Sequence, residues 1–332
     1  MSYSKGMRNT SFFQNKCVVV TGGAGFIGSH LCETLVDLGA HVIAVDNLVT
    51  GNRKNIAHIL DKIHYIHADV IQPPESYLPN ELHPDFIFHF ASLASPPLYQ
   101  SKPIETYLVN SIGTHLLLQY LLHKNPLARF IFASTSEVYG DPQEHPQTET
   151  YWGNVNPNGL RSCYDESKRM GETVCGVHTR SFDMNVRIVR IFNTYGPRMS
   201  PTDGRIIPNF IMQALRQENL TIFGSGTQTR SFCYVSDLVS GILLLAEKDA
   251  ARGETINIGN PKAFSARETA EIIQKEVLGK NAKEFIFKEL PSDDPVRRQP
   301  NIEKAKRILG WEPTIEFNEG LKKTVEYFRE LV

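Results

Sequence analysis

Residues 17–46 read Cys-Val-Val-Val-Thr-Gly-Gly-Ala-Gly-Phe-Ile-Gly-Ser-His-Leu-Cys-Glu-Thr-Leu-Val-Asp-Leu-Gly-Ala-His-Val-Ile-Ala-Val-Asp, and this stretch decides the fold. Lys16 to Thr21 is a short apolar run rich in β-branched residues, which predicts a strand. Gly22, Gly25 and Gly28 follow at Gly-x-x-Gly-x-x-Gly spacing. Ser29 to Leu38 has helical periodicity, with Leu31, Leu35 and Leu38 on one face, and Gly39 closes it. Val42 to Val45 predicts a second strand, and Asp46 stands at its end, 18 residues past Gly28. Strand, glycine turn, helix, strand and acid in this order form a dinucleotide-binding fingerprint. The glycines permit a tight turn, and the helix N-terminus faces a pyrophosphate. The Asp46 carboxylate accepts from ribose hydroxyls and repels a 2′-phosphate, which predicts NAD rather than NADP.

Outward from this unit, strands are expected at His64–His67, Asp85–Phe90, Phe130–Ala133 and Val186–Ile191. Helical runs lie between them, notably Thr106–Leu122. The alternation predicts an α/β fold, a doubly wound parallel sheet of Rossmann type. Asp69 and Val70 end one strand and Ala91 and Ser92 the next, where they can touch the cofactor. After Asn193 the alternation breaks down and loops carry Arg198, Arg205, Arg230, Arg297 and Arg298. Arginine forks suit phosphates and carboxylates, so a diphosphate-bearing substrate is expected. The division expected is a nucleotide-binding domain over 15–192 and a smaller C-terminal α+β substrate lobe over 193–332, with chain crossing between them. In that lobe a helix is expected near Asn209–Leu215, a strand at Leu220–Phe223 and a last helix at Asn318–Leu331.

The chemistry is concentrated between Ser134 and Lys168. Ser134-Thr135-Ser136-Glu137 follows an apolar run, so its hydroxyls and carboxylate sit at the carboxyl end of a strand. Tyr164 and Lys168 are four apart in a helical run to about His178 and share one face. An ammonium beside a phenol favours the phenolate, which makes Tyr164 the expected base.

The bulk numbers exclude several classes. With 35 basic against 36 acidic residues, charge gives no ground for nucleic-acid or anionic-membrane binding. The five cysteines, Cys17, Cys32, Cys163, Cys175 and Cys233, show no metal-site spacing and read as reduced thiols. No run is long and apolar enough for a membrane span. Met1 to Asn15 lacks the apolar core of a signal peptide and reads as a short disordered lead-in. A cytoplasmic protein without a metal is expected.

Together these features resemble the extended short-chain dehydrogenase/reductase family, over about residues 15–330. Within it the chain is most similar to the UDP-glucuronate decarboxylases (UDP-xylose synthases). Stretches that carry this include Ala94-Ser95-Pro96-Pro97, Arg161-Ser162-Cys163-Tyr164-Asp165-Glu166, Arg190 to Met199, Gln228 to Phe232 and Asp293-Asp294-Pro295. Sugar 4,6-dehydratases carry Asp-Glu where this chain has Ser136-Glu137. Ser167 departs from the glycine usual in these decarboxylases.

The resemblance implies that Tyr164 takes the C4 hydroxyl proton of a UDP-sugar while hydride passes to NAD. Lys168 holds the nicotinamide ribose, and Thr135 or Ser134 hydrogen-bonds the C4 oxygen. The resulting β-keto acid loses carbon dioxide, is protonated at C5, and hydride returns to C4. Ser136, Glu137 and Arg298 complete the implied catalytic set, with Arg298 facing the sugar carboxylate and Glu137 acting by repulsion or, if protonated, as a donor to C5. The resemblance extends the cofactor site to Phe26, Ile27, Asn47, Thr50, Gly51, Thr194 and Arg205, and gives Ser95, Tyr99, Asn193, Asn209 and Arg230 as substrate contacts. It also implies a homodimer through two helices per subunit. The alternatives are a UDP-sugar 4-epimerase or 4,6-dehydratase, a decarboxylase releasing the 4-keto pentose, and a noncatalytic NAD-binding scaffold.

Overall fold

The run Val18-Val19-Val20 forms the centre of a sheet because its alternate side chains find opposite apolar layers. Val18 and Val20 pack with Leu31 and Leu35, whereas Val19 joins Leu117, Leu121 and Phe130 on the other face. In this computed structural model, which describes residues 11–290 and 297–332, the first half contains β1 (Cys17–Thr21), α1 (Phe26–Asp37), β2 (His41–Asp46), β3 (Ile63–His67) and β4 (Phe86–His89). It continues through α2 (Pro96–Ser101), α3 (Pro103–Leu108), α4 (Thr114–Lys124), β5 (Arg129–Thr135), α5 (Ser162–Phe182) and β6 (Asn185–Ile191). The expected helix over 106–122 is in fact α3 and α4 joined by a π-helical turn at Val109–Gly113.

The second half contains β7 (Thr194–Tyr195), α6 (Ile206–Leu215), β8 (Leu220–Phe223), β9 (Thr229–Ser231), β10 (Cys233–Tyr234), α7 (Val235–Glu247) and β11 (Thr255–Ile258). It ends with β12 (Ala263–Ser265), α8 (Ala266–Leu278), β13 (Phe285–Lys288), β14 (Arg297–Arg298), α9 (Glu303–Leu309) and α10 (Phe317–Arg329).

Seven parallel strands make the main sheet in the order β11-β6-β5-β4-β1-β2-β3. The order reverses between β1 and β4, so a crevice opens beyond their carboxyl ends, where open α/β sheets bind ligands. β11 lies past residue 193, yet its Thr255–Ile258 pairs with β6, so the chain crosses back into the first body. Three small sheets remain, β10-β7, β12-β9-β14 and β13-β8, and the last two line the crevice together with α6 and the start of α8.

Two glycines admit close approaches that a side chain would block. A Cβ on Gly28 would lie 2.0 Å from the Gly22 carbonyl oxygen, so the first turn of α1 closes on the loop after β1. A Cβ on Gly171 would lie 2.3 Å from the Phe132 ring, so α5 lies hard against β5.

The N-terminal expectation needs correction. Phe13 is fully buried, and Phe12 and Phe13 pack against Phe86, so this segment is anchored to the core through these two rings while Ser11, Gln14 and Asn15 stay exposed. Residues 1–10 of the expected lead-in, and Asp293-Asp294-Pro295, lie outside the described residues. Among the described residues no helix is long and apolar enough to cross a membrane.

Candidate active site

One cleft of about 1180 Å³ lies at the switch point, and it gathers the residues expected from the sequence. Its floor is Gly22, Gly25, Phe26, Ile27 and Gly28. One end is lined by Asp46, Asn47, Thr50, Gly51, Asp69, Val70, Ala91 and Ser92. The middle holds Thr135, Ser136, Glu137, Tyr164, Lys168, Asn193 and Thr194. The far wall brings Ser95, Tyr99, Arg205, Asn209, Arg230 and Arg298. Arg298 and Arg230 are register partners on β14 and β9. Of the other loop arginines, Arg198 is tied to Glu33 at 2.5 Å, and Arg297 is exposed and outside the cleft lining.

The floor fits a dinucleotide. Gly25 caps α1 with no side-chain hydrogen bond, which leaves the first backbone N–H groups of the helix for an anion. Asp46 is held in place by the amides of Ala24 at 2.9 Å and Leu48 at 2.8 Å. Asp69 accepts from Asn47 at 3.1 Å, which orients both side chains beside it. The buried hydroxyls of Ser92, Ser95 and Tyr99 line the cleft without a protein partner, as expected of groups that serve a ligand. Among the described residues no cluster of His, Cys, Asp or Glu could hold a metal ion.

The catalytic candidates converge because α5 presents one buried face to β5. Tyr164, Ser167, Lys168, Gly171, Cys175 and His178 fall on that face at helical spacing. The Tyr164 ring stacks on Tyr99, with centroids 5.0 Å apart, and its phenol hydrogen-bonds Thr135. The Lys168 ammonium donates to the Ala133 carbonyl at 2.7 Å. Thr135 in turn accepts from the Glu137 amide at 3.2 Å, at the start of a helical turn over Ser136–Tyr139.

The structure adds four electrostatic and hydrogen-bonding details that residue spacing does not show. Burial, with the charges of Glu137 and Asp165, raises the Tyr164 phenol above its ordinary value, against the Thr135 hydrogen bond and the Arg205 charge. Burial also pushes the Lys168 ammonium down to about 7. Glu137 is wedged between two guanidiniums, those of Arg298 and Arg161. Although burial alone would raise its carboxyl, the Arg298 and Arg161 charges prevail and hold Glu137 well below the usual carboxylate range. Glu137 is therefore an ionised group at rest, not a protonated donor. Ser134 is committed elsewhere: its hydroxyl donates to Glu172 at 2.5 Å, and Arg190 clamps that carboxylate from the other side at 2.7 Å. Both hydroxyls expected near the C4 oxygen line the cleft, and Thr135 is the one hydrogen-bonded to Tyr164.

Sequence reasoning missed Arg161, the second cation on Glu137. Its position in the turn before α5, three residues ahead of Tyr164, was the available signal. Cys163 lines no part of the cleft, and burial pushes its thiol up rather than activating it.

The profile of the NAD dependent epimerase/dehydratase family matches residues 18–259. UDP-glucuronic acid decarboxylase 1 of Xenopus tropicalis is 47% identical over 317 residues, covering 95% of this chain and 72% of that protein. UDP-glucuronic acid decarboxylase 6 of Arabidopsis thaliana is 49% identical over 327 residues, covering 97% of this chain and 92% of that protein. The structure of UDP-glucuronic acid 4-epimerase from Bacillus cereus, in complex with UDP-glucuronic acid and NAD, superposes with a TM-score of 0.83 at 29% identity over 95% of this chain and 99% of that one.

Proposed function

The chain belongs to the NAD dependent epimerase/dehydratase family, and on that premise we propose that it decarboxylates UDP-glucuronate to UDP-xylose. The observation that carries this reading is the Arg298–Glu137 pair in the same cleft as Tyr164 and Thr135. An arginine whose resting partner is a carboxylate is suited to accept the C6 carboxylate of the sugar.

The floor from Gly22 to Asp46 would hold NAD, which when bound would supply the oxidation at C4 and its reversal. Tyr164 takes the C4 hydroxyl proton and later returns it, with Thr135 sharing the hydrogen bond. Arg205 assists by favouring the phenolate. Lys168, held by the Ala133 carbonyl, would hydrogen-bond the nicotinamide ribose. Oxidation makes C4 a ketone β to the carboxylate, so the C5–C6 bond breaks with its electrons passing into that carbonyl. Glu137 is ionised when the C5–C6 bond breaks and raises the energy of the neighbouring sugar carboxylate relative to neutral carbon dioxide. Ser136 stands where a dehydratase carries an aspartic acid, and it cannot protonate a departing C6 hydroxyl. Arg230 and Asn193 hold the UDP, aided by Asn209, Ser95 and Tyr99.

The protein acts as a homodimer in this reading. Ile104 and Tyr107 on α3, Ile112 in the π-helical turn, and Met170 and Val177 on α5 are all exposed, which supports pairing of these helices with those of a second copy. Sedimentation at micromolar concentration tests it, and a monomer contradicts it. For the activity, purified protein is incubated with UDP-glucuronate, without and then with added NAD. Carbon dioxide release is expected, and its absence in both conditions contradicts the reading.

A further inference from the structure

Decarboxylation leaves one proton unaccounted for. Tyr164 receives the C4 hydroxyl proton and gives the same proton back, so the proton added at C5 has another source. A second cavity of about 180 Å³ lies on the other side of Glu137, Arg161 and Arg298, and these three residues line both spaces. They form the partition between them. The remaining walls are Gly140 and Asp141, the loop Asn154–Asn156, and Asp165. Asp141, Asn154 and Asn156 are exposed, so this chamber communicates with solvent from the side away from the cofactor floor. At ~30 Å³ per water it has room for a handful of molecules.

Asp165 is the unusual wall residue. It is 6% exposed, and its Oδ1 is buried without a protein partner. Its Oδ2 is 3.9 Å from Arg161 Nε, a contact too long for a hydrogen bond. A buried carboxyl oxygen without a partner, in the wall of a polar chamber, marks a group served by water. We infer that this chamber feeds the C5 proton, with Asp165 as its protonated reserve and Glu137 as the group that carries the proton across the partition.

The step balances. The C5–C6 bond breaks, carbon dioxide leaves and the electron pair makes the C4–C5 enolate. The Asp165 O–H bond then breaks, its proton passes through chamber water and a Glu137 oxygen, and a C5–H bond forms as the C4 ketone is restored. Asp165 takes a new proton from solvent, and Glu137 begins and ends ionised. The charged groups around Asp165 agree with this division. Burial and the charges of Glu137 and Glu166 raise it, against Arg161 and Arg298, and the net result is a carboxyl well above its ordinary value.

This inference rests on the decarboxylase reading, and the experiment separates the two. Unmutated protein and Asp165→Asn are mixed with UDP-glucuronate in H₂O and in D₂O, and carbon dioxide, reduced-nicotinamide absorbance and product are followed from the first turnover. For Asp165→Asn we expect one carbon dioxide per site in a burst at the normal rate, then turnover slowed by about 10². We also expect steady-state reduced nicotinamide to rise and the solvent isotope effect on kcat to grow. Asp165→Glu should recover most of the rate. Val155→Phe, which fills the chamber and leaves Asp165 in place, should show the same burst and serves if Asp165→Asn fails to fold. Normal turnover in Asp165→Asn or in Val155→Phe overturns the inference, and so does slowing without a burst or a changed isotope effect. Either result leaves the decarboxylase reading standing if the unmutated protein releases carbon dioxide. An unmutated protein that releases none overturns both.

Discussion

Glu137 and Arg298, 161 positions apart in the chain, meet as an ion pair at the partition between the cleft and the chamber behind it. The helical turn after β5 supplies the carboxylate and the two-residue strand β14 supplies the guanidinium. In the proposed reaction a sugar carboxylate competes with Glu137 for Arg298, and the Arg161 pair would keep Glu137 partnered.

Replacing Glu137 by Gln leaves both guanidiniums without their carboxylate. Removing one member of a buried ion pair destabilises by about 3–5 kcal/mol. Glu137→Gln should lower the unfolding midpoint in urea and slow carbon dioxide release at least tenfold. NAD affinity, measured by calorimetry, should change little, because the cofactor floor lies on other elements. Decarboxylation at the unmutated rate would make Glu137 a purely structural group.

The two hydroxyls at the end of β5 should separate cleanly. Thr135→Val removes the hydrogen bond to Tyr164 and should reduce kcat by about 10² with little change in stability. Ser134→Ala removes a hydrogen bond to Glu172 and should cost about 1–2 kcal/mol of stability with a small effect on kcat. The reverse pattern would exchange their roles. Tyr164→Phe should bind NAD and lose turnover by orders of magnitude.

Much of this was legible in the chain, and the reasons are local. The Gly22 to Gly28 turn, Asp46 at the end of β2 and the Tyr164/Lys168 pair lie within single elements whose periodicity shows in the sequence. What was not legible depends on contacts between distant segments. Nothing near Arg298 announces Glu137, since β14 is two residues long and is placed by pairing with β9. β11 is four residues, and only its partner β6 makes it part of the main sheet. The raised Tyr164 phenol was not legible because spacing reveals Lys168 but not burial, and burial is the largest cause there. Phe13 was misjudged because a short polar segment concealed one side chain that fills a core site beside Phe86.

Cofactor choice should follow Asp46. The unmutated protein should bind NAD far more tightly than NADP, and Asp46→Ala should narrow the ratio at least tenfold, mainly by weakening NAD. Parallel titrations check this. Equal affinity for both dinucleotides in the unmutated protein would contradict the assignment.

Two buried histidines should make stability depend on pH. Burial lowers His30 to about 4 and His89 to about 3, with Arg198 and Lys168 respectively adding to the effect. An unfolded chain takes up these protons below its ordinary histidine value of about 6.5, whereas the folded chain does not. Their contribution is therefore complete above about pH 6.5 and is lost as pH falls toward 4, with a slope of up to about 1.4 kcal/mol per pH unit for each residue. Asp165, whose carboxyl is raised in the folded protein, works in the opposite direction over this range, so the histidine loss is read by comparing urea unfolding of the unmutated protein and His89→Gln between pH 7.5 and 5. His89→Gln should show a shallower one, whatever its absolute stability.

The central claim is that this site removes C6 as carbon dioxide after oxidising C4. The direct measurement is NMR of UDP-glucuronate labelled with ¹³C at C6, incubated with the purified protein. The account predicts that the label moves into carbon dioxide and bicarbonate while UDP-xylose accumulates, with some UDP-4-keto-pentose escaping. Label retained in UDP-galacturonate, with no gas formed, would contradict it and make the protein a 4-epimerase.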